Sequence, residues 1–235
     1  MAKSDTIQFK GLPADFFAFF EELSANNERA WFATNKARYQ QSVVAPMTYL
    51  VADMAPRLAR ISKHYIADPK RALFRIHRDV RFAKDKSPYK THAAAQFRHE
   101  VGRDVHAPGF YVHAGPDEIY VGAGIWMPPA PQLKSARDRI AKDTAAWRRI
   151  VTAKPFVGVF GGLSDDPAYT LKRPPKGYDP GHPAIEDLKR TSFVFGHTVA
   201  QARARKAGFI DEVEEAYRAA APAMRFLCTA LGLPF

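Results

Sequence analysis

Six lysines and arginines crowd into one short stretch, RIHRDVRFAKDKSPYKTH, which covers residues 75–92. Only two acidic residues, Asp79 and Asp85, accompany them. Arginine presents forked donors that match the geometry of a phosphate or carboxylate, and lysine adds attraction for the same groups. This stretch therefore predicts a binding site for an anionic group.

Apolar residues recur at alternate positions before and within this stretch, which predicts a β-strand over residues 73–82 with a polar opposite face. On that face, Arg75 and Arg81 would supply forked hydrogen bonds to the anion. His77 would donate or shuttle a proton, and Asp79 would fix the geometry of its neighbours. These four side chains form the centre of the predicted site.

Three lysines of the turn that follows would add further attraction, and they are Lys84, Lys86 and Lys90. The alternative for the whole segment is a hydrated sheet face with Arg–Asp pairs, whose lysines keep a strand edge from aggregating. Both interpretations remain open at this point.

A later segment, EIYVGAGIWM, places two rings on one strand face with only glycine between them. Tyr120, Gly122, Gly124 and Trp126 share that face. The gap makes room either for a ligand, which Tyr120 and Trp126 would contact, or for a closely packed helix.

The segment from residue 163 to residue 183 is rich in Pro, Gly and Lys and is long for a connection. Long loops often carry function. We expect it to form a rim over the basic sheet face, with Lys172 and Arg173 as further contacts to the anion.

Metal and covalent chemistry receive little support from the sequence. His92, His99, His106 and His113 recur every seven residues, a spacing that puts successive side chains on opposite faces of a continuous strand. No third ligand joins His77 and Asp79, so no metal site is predicted. Cys228 lies in an apolar helical pattern, where a thiol is usually inert. No cofactor signature is recognised, and the cofactor is left unknown.

The chain has 235 residues, of which 46% are hydrophobic, and a net charge of +11, which favours anionic partners. We expect a single globular domain spanning 1–235. One cysteine rules out an internal disulfide, and neither an apolar leader nor a membrane span is visible. These features predict a cytoplasmic protein without a membrane partner.

Strands grouped between helical ends predict an α+β fold with a mainly antiparallel central sheet flanked by N-terminal and C-terminal helices. Besides residues 73–82, strands are expected at 94–100, 109–114 and 118–127, in FVGVFG from residue 156, and in TSFVFGHTV from residue 191. The amino-terminal helical pattern extends to Ile61 with expected breaks at Pro46 and Pro56, and a closing helix bends near Pro222.

Four strings, NNERAWFATNK, RDVRFAKDKSPYKTH, YVGAGIWMP and LKRPPKGYDPGHPA, together resemble a bacterial and fungal family of conserved proteins whose function is unknown. The resemblance extends over nearly the whole chain in consistent order. It implies no activity and no catalytic residues.

Three classes of function remain open. The chain could bind, or act on, a small anionic or phosphorylated molecule at the basic face. It could bind nucleic acid through the same basic and aromatic surface. It could also be a structural protein that meets an acidic protein partner. Whether it is an enzyme, and its oligomeric state, are left open.

Overall fold

Four strands form one antiparallel sheet in the order β1-β2-β3-β4 in the computed structural model, which describes residues 8–102, 106–164 and 166–235. The strands are β1, Ala93–Arg98; β2, Gly109–Ala114; β3, Ile119–Ile125; and β4, Phe193–Thr198. The expected α+β fold with an antiparallel sheet is confirmed. Residues 1–7, which begin the segment that the sequence analysis considered for a leader, lie outside the described range.

Helices precede β1, connect β3 to β4, and follow β4. Their bounds are α1, Ala14–Ala25; α2, Arg29–Tyr39; α3, Ala45–Ile61; α4, Pro69–Ala72; α5, Ala130–Lys142; α6, Thr144–Val151; α7, Lys154–Phe160; α8, Ile185–Leu188; α9, Gln201–Ala204; and α10, Phe209–Ala230. Within the described ranges, none of them combines the length and the apolar character needed to cross a bilayer.

One face of the sheet packs on α10 and forms the centre of the core. The Tyr217 ring of α10 lies 5.8 Å from Phe97 and 4.8 Å from Phe110, measured between ring centroids. Strand side chains alternate between the two faces, so every second residue of each strand enters this core. The opposite face is left for the site described below.

The amino-terminal helices follow the sequence pattern with one local change. A π-helical turn, Gln40–Val44, links α2 to α3, and in it the Ala45 N–H donates to Gln40 O. Pro46 follows at once in the first turn of α3, where its missing N–H is tolerated, so the break expected there does not occur. Pro56 does not break α3, and α10 continues past Pro222.

The prediction of a strand at residues 73–82 is wrong. Only Leu73 and Phe74 reach the sheet, where the Phe74 N–H donates to Ala94 O at 2.9 Å. The chain then pairs with itself, because the Arg78 N–H donates to Pro88 O and the Lys90 N–H donates to Ile76 O. Residues 75–90 therefore form a separate excursion, called the basic hairpin below.

The strand expected in FVGVFG is also wrong, because this segment is the helix α7. Pro155 stands in its first turn, and Gly161 ends it with φ of 71°. Proline at the start and a left-handed glycine just past the end are typical of helices. The two helices expected just before it are confirmed as α5 and α6, with Asp143 between them.

Candidate functional site

The sheet face opposite α10 lines a cleft of about 620 Å³. Strand register sets its floor, because residues paired across antiparallel strands point to the same side. Three rows cross the sheet from β1 to β4: Ala94, His113, Tyr120 and Thr198; Gln96, Tyr111, Gly122 and Gly196; and Arg98, Gly109, Gly124 and Val194.

Two glycines allow the Tyr120 ring to lie across the floor. A Cβ atom at Gly196 would stand 2.3 Å from Tyr120 Cζ, and one at Gly122 would stand 2.8 Å from Tyr120 Cε1. Any side chain at either position would displace the ring. The glycine gap noted in the sequence therefore faces the cleft, and the Tyr120 ring itself lies over it.

Segments beyond both edges of the sheet supply the walls. Phe74, Lys90 and His92 line the cleft on the side of β1. On the side of β4 the wall residues are Trp126, Ser164, Asp166 and Tyr169. The Trp126 indole N–H donates to Tyr169 Oη at 3.2 Å, which ties the end of β3 to the long loop.

Lys90 is the cation of the cleft wall. Its ammonium donates to Arg75 O at 3.1 Å and lies 5.2 Å from the centre of the Phe74 ring. Burial lowers the pKa of Lys90, and the neighbouring charge of Arg75 lowers it further. An anionic group placed beside this ammonium would relieve both penalties.

Two imidazoles lie next to each other in the cleft. The ring centroids of His92 and His113 are 5.2 Å apart, and His113 Nε2 lies 3.2 Å from Glu118 Oε2. Burial lowers the pKa of His92 to about 4, with smaller effects from His113 and Lys90. Burial also lowers the pKa of His113, although Glu118 acts in the opposite direction.

The two floor tyrosines are partly desolvated as well. Burial raises the pKa of Tyr111 to about 12 and that of Tyr120 to about 12. Perturbed titratable groups that converge in one concavity are a common property of binding and catalytic sites. The cleft is therefore the candidate functional site.

In the basic hairpin, by contrast, two arginines pair with carboxylates of the hairpin itself. Arg81 makes a two-pronged contact with Asp79, with N–O distances of 3.0 and 2.7 Å. These hydrogen bonds lower the pKa of Asp79 to about 2. Arg78 pairs with Asp85, and the Lys86 ammonium donates to Val80 O at 2.9 Å.

Of the residues predicted to form the anion site, Lys90, Tyr120 and Trp126 line the cleft. The remainder do not line it, and all of them are exposed: Arg75, His77, Asp79, Arg81, Lys84, Lys86, Lys172 and Arg173. The expected arrangement on one strand face does not form, since residues 75–82 are not a strand.

The long loop that begins at residue 163 borders the cleft, but only its first residues line the wall. Ser164, Asp166 and Tyr169 line the wall, and the Ser164 N–H donates to Val194 O at 3.3 Å. Leu171 then turns away to pair with Lys189 O. The rim expected from Lys172 and Arg173 is thus formed by earlier, uncharged or acidic residues.

Sequence reasoning predicted the strand at 109–114 but did not place His113 or Glu118 in the site. Tyr111 and His113 share strand parity, and Gly115, Pro116 and Asp117 mark the turn that follows. Folding the sequence symmetrically about that turn would have placed His113 opposite Tyr120. In the described part of the chain, no three His, Cys, Asp or Glu side chains group so as to hold a metal ion.

A scan of protein families matches residues 15–226 to the family described as conserved hypothetical protein (DUF2461). The match covers nearly the whole chain, so the chain belongs to this family. Comparison with curated proteins and with solved structures finds no match.

Proposed function

We propose that the cleft binds one small, planar molecule that carries a single anionic group. The observation that carries this proposal is the cleft of about 620 Å³ above the sheet floor, which aromatic rings line on several sides. Ligand pockets for small molecules commonly measure roughly 300–1,000 Å³ and combine apolar walls with a few polar groups.

The rings suggest the shape of the ligand. Tyr120 and Tyr111 lie 6.4 Å apart between ring centroids on the floor, and Phe74 and Trp126 stand in opposite walls. Aromatic side chains pack well against flat molecules, by stacking or by edge contacts. A planar ligand would use most of this surface.

The charged residues of the cleft suggest the charge of the ligand. Lys90 is the positive side chain among the lining residues, while Glu118 and Asp166 are negative. With neutral imidazoles the wall has no large excess of either sign, so a strongly charged polyanion is disfavoured. A ligand with one carboxylate or phosphate would direct that group towards Lys90, where a charge-assisted hydrogen bond is strong.

The test is calorimetric titration of the purified protein with benzoate and with adenosine monophosphate. We expect saturable binding of at least one of them with one site per chain. Lys90→Met should weaken that binding roughly tenfold or more, because the ligand loses a charge-assisted hydrogen bond.

Lys84→Met is the matched control. It removes the same charge from an exposed position in the basic hairpin, so binding should change by less than about twofold, as expected of a screened surface charge. Equal losses in both variants would mean that a diffuse positive surface binds the ligand, and the cleft proposal would fail.

A second candidate function rests on one side chain of the basic hairpin. Phe82 is 95% exposed, and the Arg81 guanidinium lies 5.9 Å from its ring centre. An exposed ring beside cations can stack on a base while lysines contact phosphates. We propose single-stranded nucleic acid as the ligand of this surface.

This second proposal has a separate test. Fluorescence anisotropy with a labelled oligothymidylate should show binding that weakens steeply with salt and that Phe82→Ala reduces. Lys90→Met should have little effect there. Binding that ignores Phe82, or that does not weaken with salt, would contradict it.

A further inference from the structure

The β2–β3 turn places an imidazole and a carboxylate together at the cleft. His113 is the fifth residue of β2, and Glu118 stands directly before β3. Their side chains meet at 3.2 Å between Nε2 and Oε2. A carboxylate so placed orients the ring and stabilises the imidazolium that forms when the ring takes up a proton.

Neighbouring rings hold the imidazole on three sides. Tyr120 stacks on His113 with ring centroids 5.7 Å apart, Tyr111 meets it edge-on at 5.6 Å, and His92 lies at 5.2 Å. A ring confined in this way cannot turn freely away from a bound molecule, and such preorganisation favours catalysis.

The protonation state also suits a base. Burial lowers the pKa of His113, so at neutral pH the imidazole is uncharged and able to accept a proton. Glu118 raises that pKa and thereby strengthens the base. The other titratable groups facing it are His92, Tyr111 and Tyr120, and burial disfavours the charged form of each.

We propose that His113 is the general base of an enzyme that removes a proton from a planar substrate in the cleft, with Glu118 as its positioning residue. This inference rests on the proposed binding function. The proton moves from the substrate to His113 Nδ1, because Nε2 faces Glu118, and the electron pair of the broken bond stays on the substrate. The negative charge that develops spreads onto the anionic group of the substrate, which Lys90 binds in the same cleft.

A suitable probe is 5-nitrobenzisoxazole, a planar molecule that needs only a base. Removal of its ring C–H proton forms a nitrile, while the N–O bond breaks and its electron pair goes to the oxygen. The product is a coloured phenolate, and no oxidant, reductant or second substrate takes part. The developing phenolate charge corresponds to the one assigned to Lys90.

The wild-type protein should convert this probe, and His113→Gln should lower kcat/KM by about a hundredfold, as general-base catalysis contributes roughly 10²–10⁴. His77→Gln is the matched control. It makes the same substitution at an exposed position of the basic hairpin, so its kcat/KM should equal that of the wild type.

Glu118→Gln should lower kcat and leave KM nearly unchanged. It should also move the acid limb of the pH–rate profile to lower pH, because the pKa of His113 falls when the carboxylate is lost. A purely structural Glu118 would give an unshifted profile, which would contradict its positioning role.

Benzoate titration of the same proteins separates this inference from the binding proposal. Turnover that His113→Gln abolishes, while benzoate still binds, would support the catalytic role. If wild type binds benzoate but converts the probe no faster than His113→Gln, the general base is refuted and the binding function stands. If neither benzoate nor adenosine monophosphate binds and the probe is not converted, both proposals are overturned.

Discussion

The cleft and the basic hairpin both carry titratable side chains, yet their surroundings differ. In the hairpin, Asp79 and Asp85 already neutralise Arg81 and Arg78, and water reaches most of the groups. In the cleft, burial is the largest influence on every imidazole, phenol and ammonium whose pKa is shifted. The high density of charge in the sequence thus belongs to an exposed hairpin, whereas the candidate site is recognised by the desolvation of its titratable groups.

Lys90 connects the two regions. It is the last residue of the hairpin and also part of the cleft wall. Its backbone N–H closes the hairpin on Ile76 O, and its side chain lies over Phe74. A ligand bound at Lys90 would therefore contact the base of the hairpin, although the tip of the hairpin does not line the cleft.

The largest effect is expected from Gly196→Ala on the cleft floor. The new methyl group would collide with Tyr120 and would lie 2.7 Å from Val121 O. Since backbone cannot move away cheaply, the free energy of unfolding should fall by about 2–3 kcal/mol. Urea denaturation measures this loss.

Gly158→Ala is its matched control, because a Cβ atom there has nothing within 4 Å. In a helix, alanine is favoured over glycine by up to about 1 kcal/mol, so this variant should be at least as stable as the wild type. A fully stable Gly196→Ala protein would show that Tyr120 is not seated on the floor.

The next largest effect is on the pH dependence of stability, which should differ between the cleft and the basic hairpin. The folded chain disfavours protonated His92, whose pKa is about 4, while the unfolded chain takes up that proton near 6.5. Stability is therefore lost as pH falls from about 6.5 to 4. The loss attributable to His92 should be about 1–2 kcal/mol, less than the full shift implies because the ring is partly solvated.

His92→Gln should reduce the slope of stability against pH across that window, as measured by urea titrations at several pH values. Asp79→Asn in the hairpin should leave the same window unchanged. The pKa of Asp79 is lowered to about 2, so its contribution is present above pH 3.8 and is lost only as pH falls through 2. An unaltered slope in His92→Gln would argue against a desolvated cleft.

A smaller effect is expected from Asp85→Ala in the hairpin. Asp85 pairs with Arg78 and accepts from the Ser87 N–H at 2.9 Å, but all of these contacts lie near solvent. Global stability should change little, because exposed ion pairs contribute little to the free energy of unfolding. Trypsin cleavage at Lys84 and Lys86 should nonetheless become several times faster, because the loop loses its local order.

Mass spectrometry of the tryptic fragments measures this change. Asp117→Ala, at an exposed position of the β2–β3 turn, should leave cleavage at Lys84 and Lys86 unaltered. If Asp85→Ala instead unfolds the whole chain, the hairpin is part of the core and the contrast with the cleft is wrong.

The smallest effect is expected from Phe82→Ser, since that ring is 95% exposed. The free energy of unfolding should change by less than about 0.5 kcal/mol. Phe74→Ser, on the same segment but in the cleft wall, should cost clearly more, because Phe74 is half-buried and lies against Lys90. Thermal denaturation of the two variants compares them directly, and equal losses would contradict the contrast.

Local pattern was a good guide where neighbours in sequence decide the structure. The helices at both ends and strands β1 to β4 lie close to where periodicity predicted them. The pattern failed at residues 73–82, where alternation was present but a strand partner existed only for Leu73 and Phe74. It failed again at α7, where the Pro155 and Gly161 helix signals were passed over for an apolar run.

The candidate site was partly within reach of the sequence. Tyr120, Trp126 and the gap between them follow from the parity of one strand, and Lys90 was included among the cations. His92, His113 and Glu118 were not connected with these residues, because their meeting depends on the register of β2 on β3 and on the path of the chain before β1.

By itself, then, the sequence determined the α+β class, the aromatic core and an abundance of positive charge, since these depend on composition and short periodicities. Only the tertiary structure decided which cations are neutralised at the surface and which side chains leave water together. The reason is that desolvation is a property of what surrounds a group in three dimensions, and residues distant in the chain supply those surroundings.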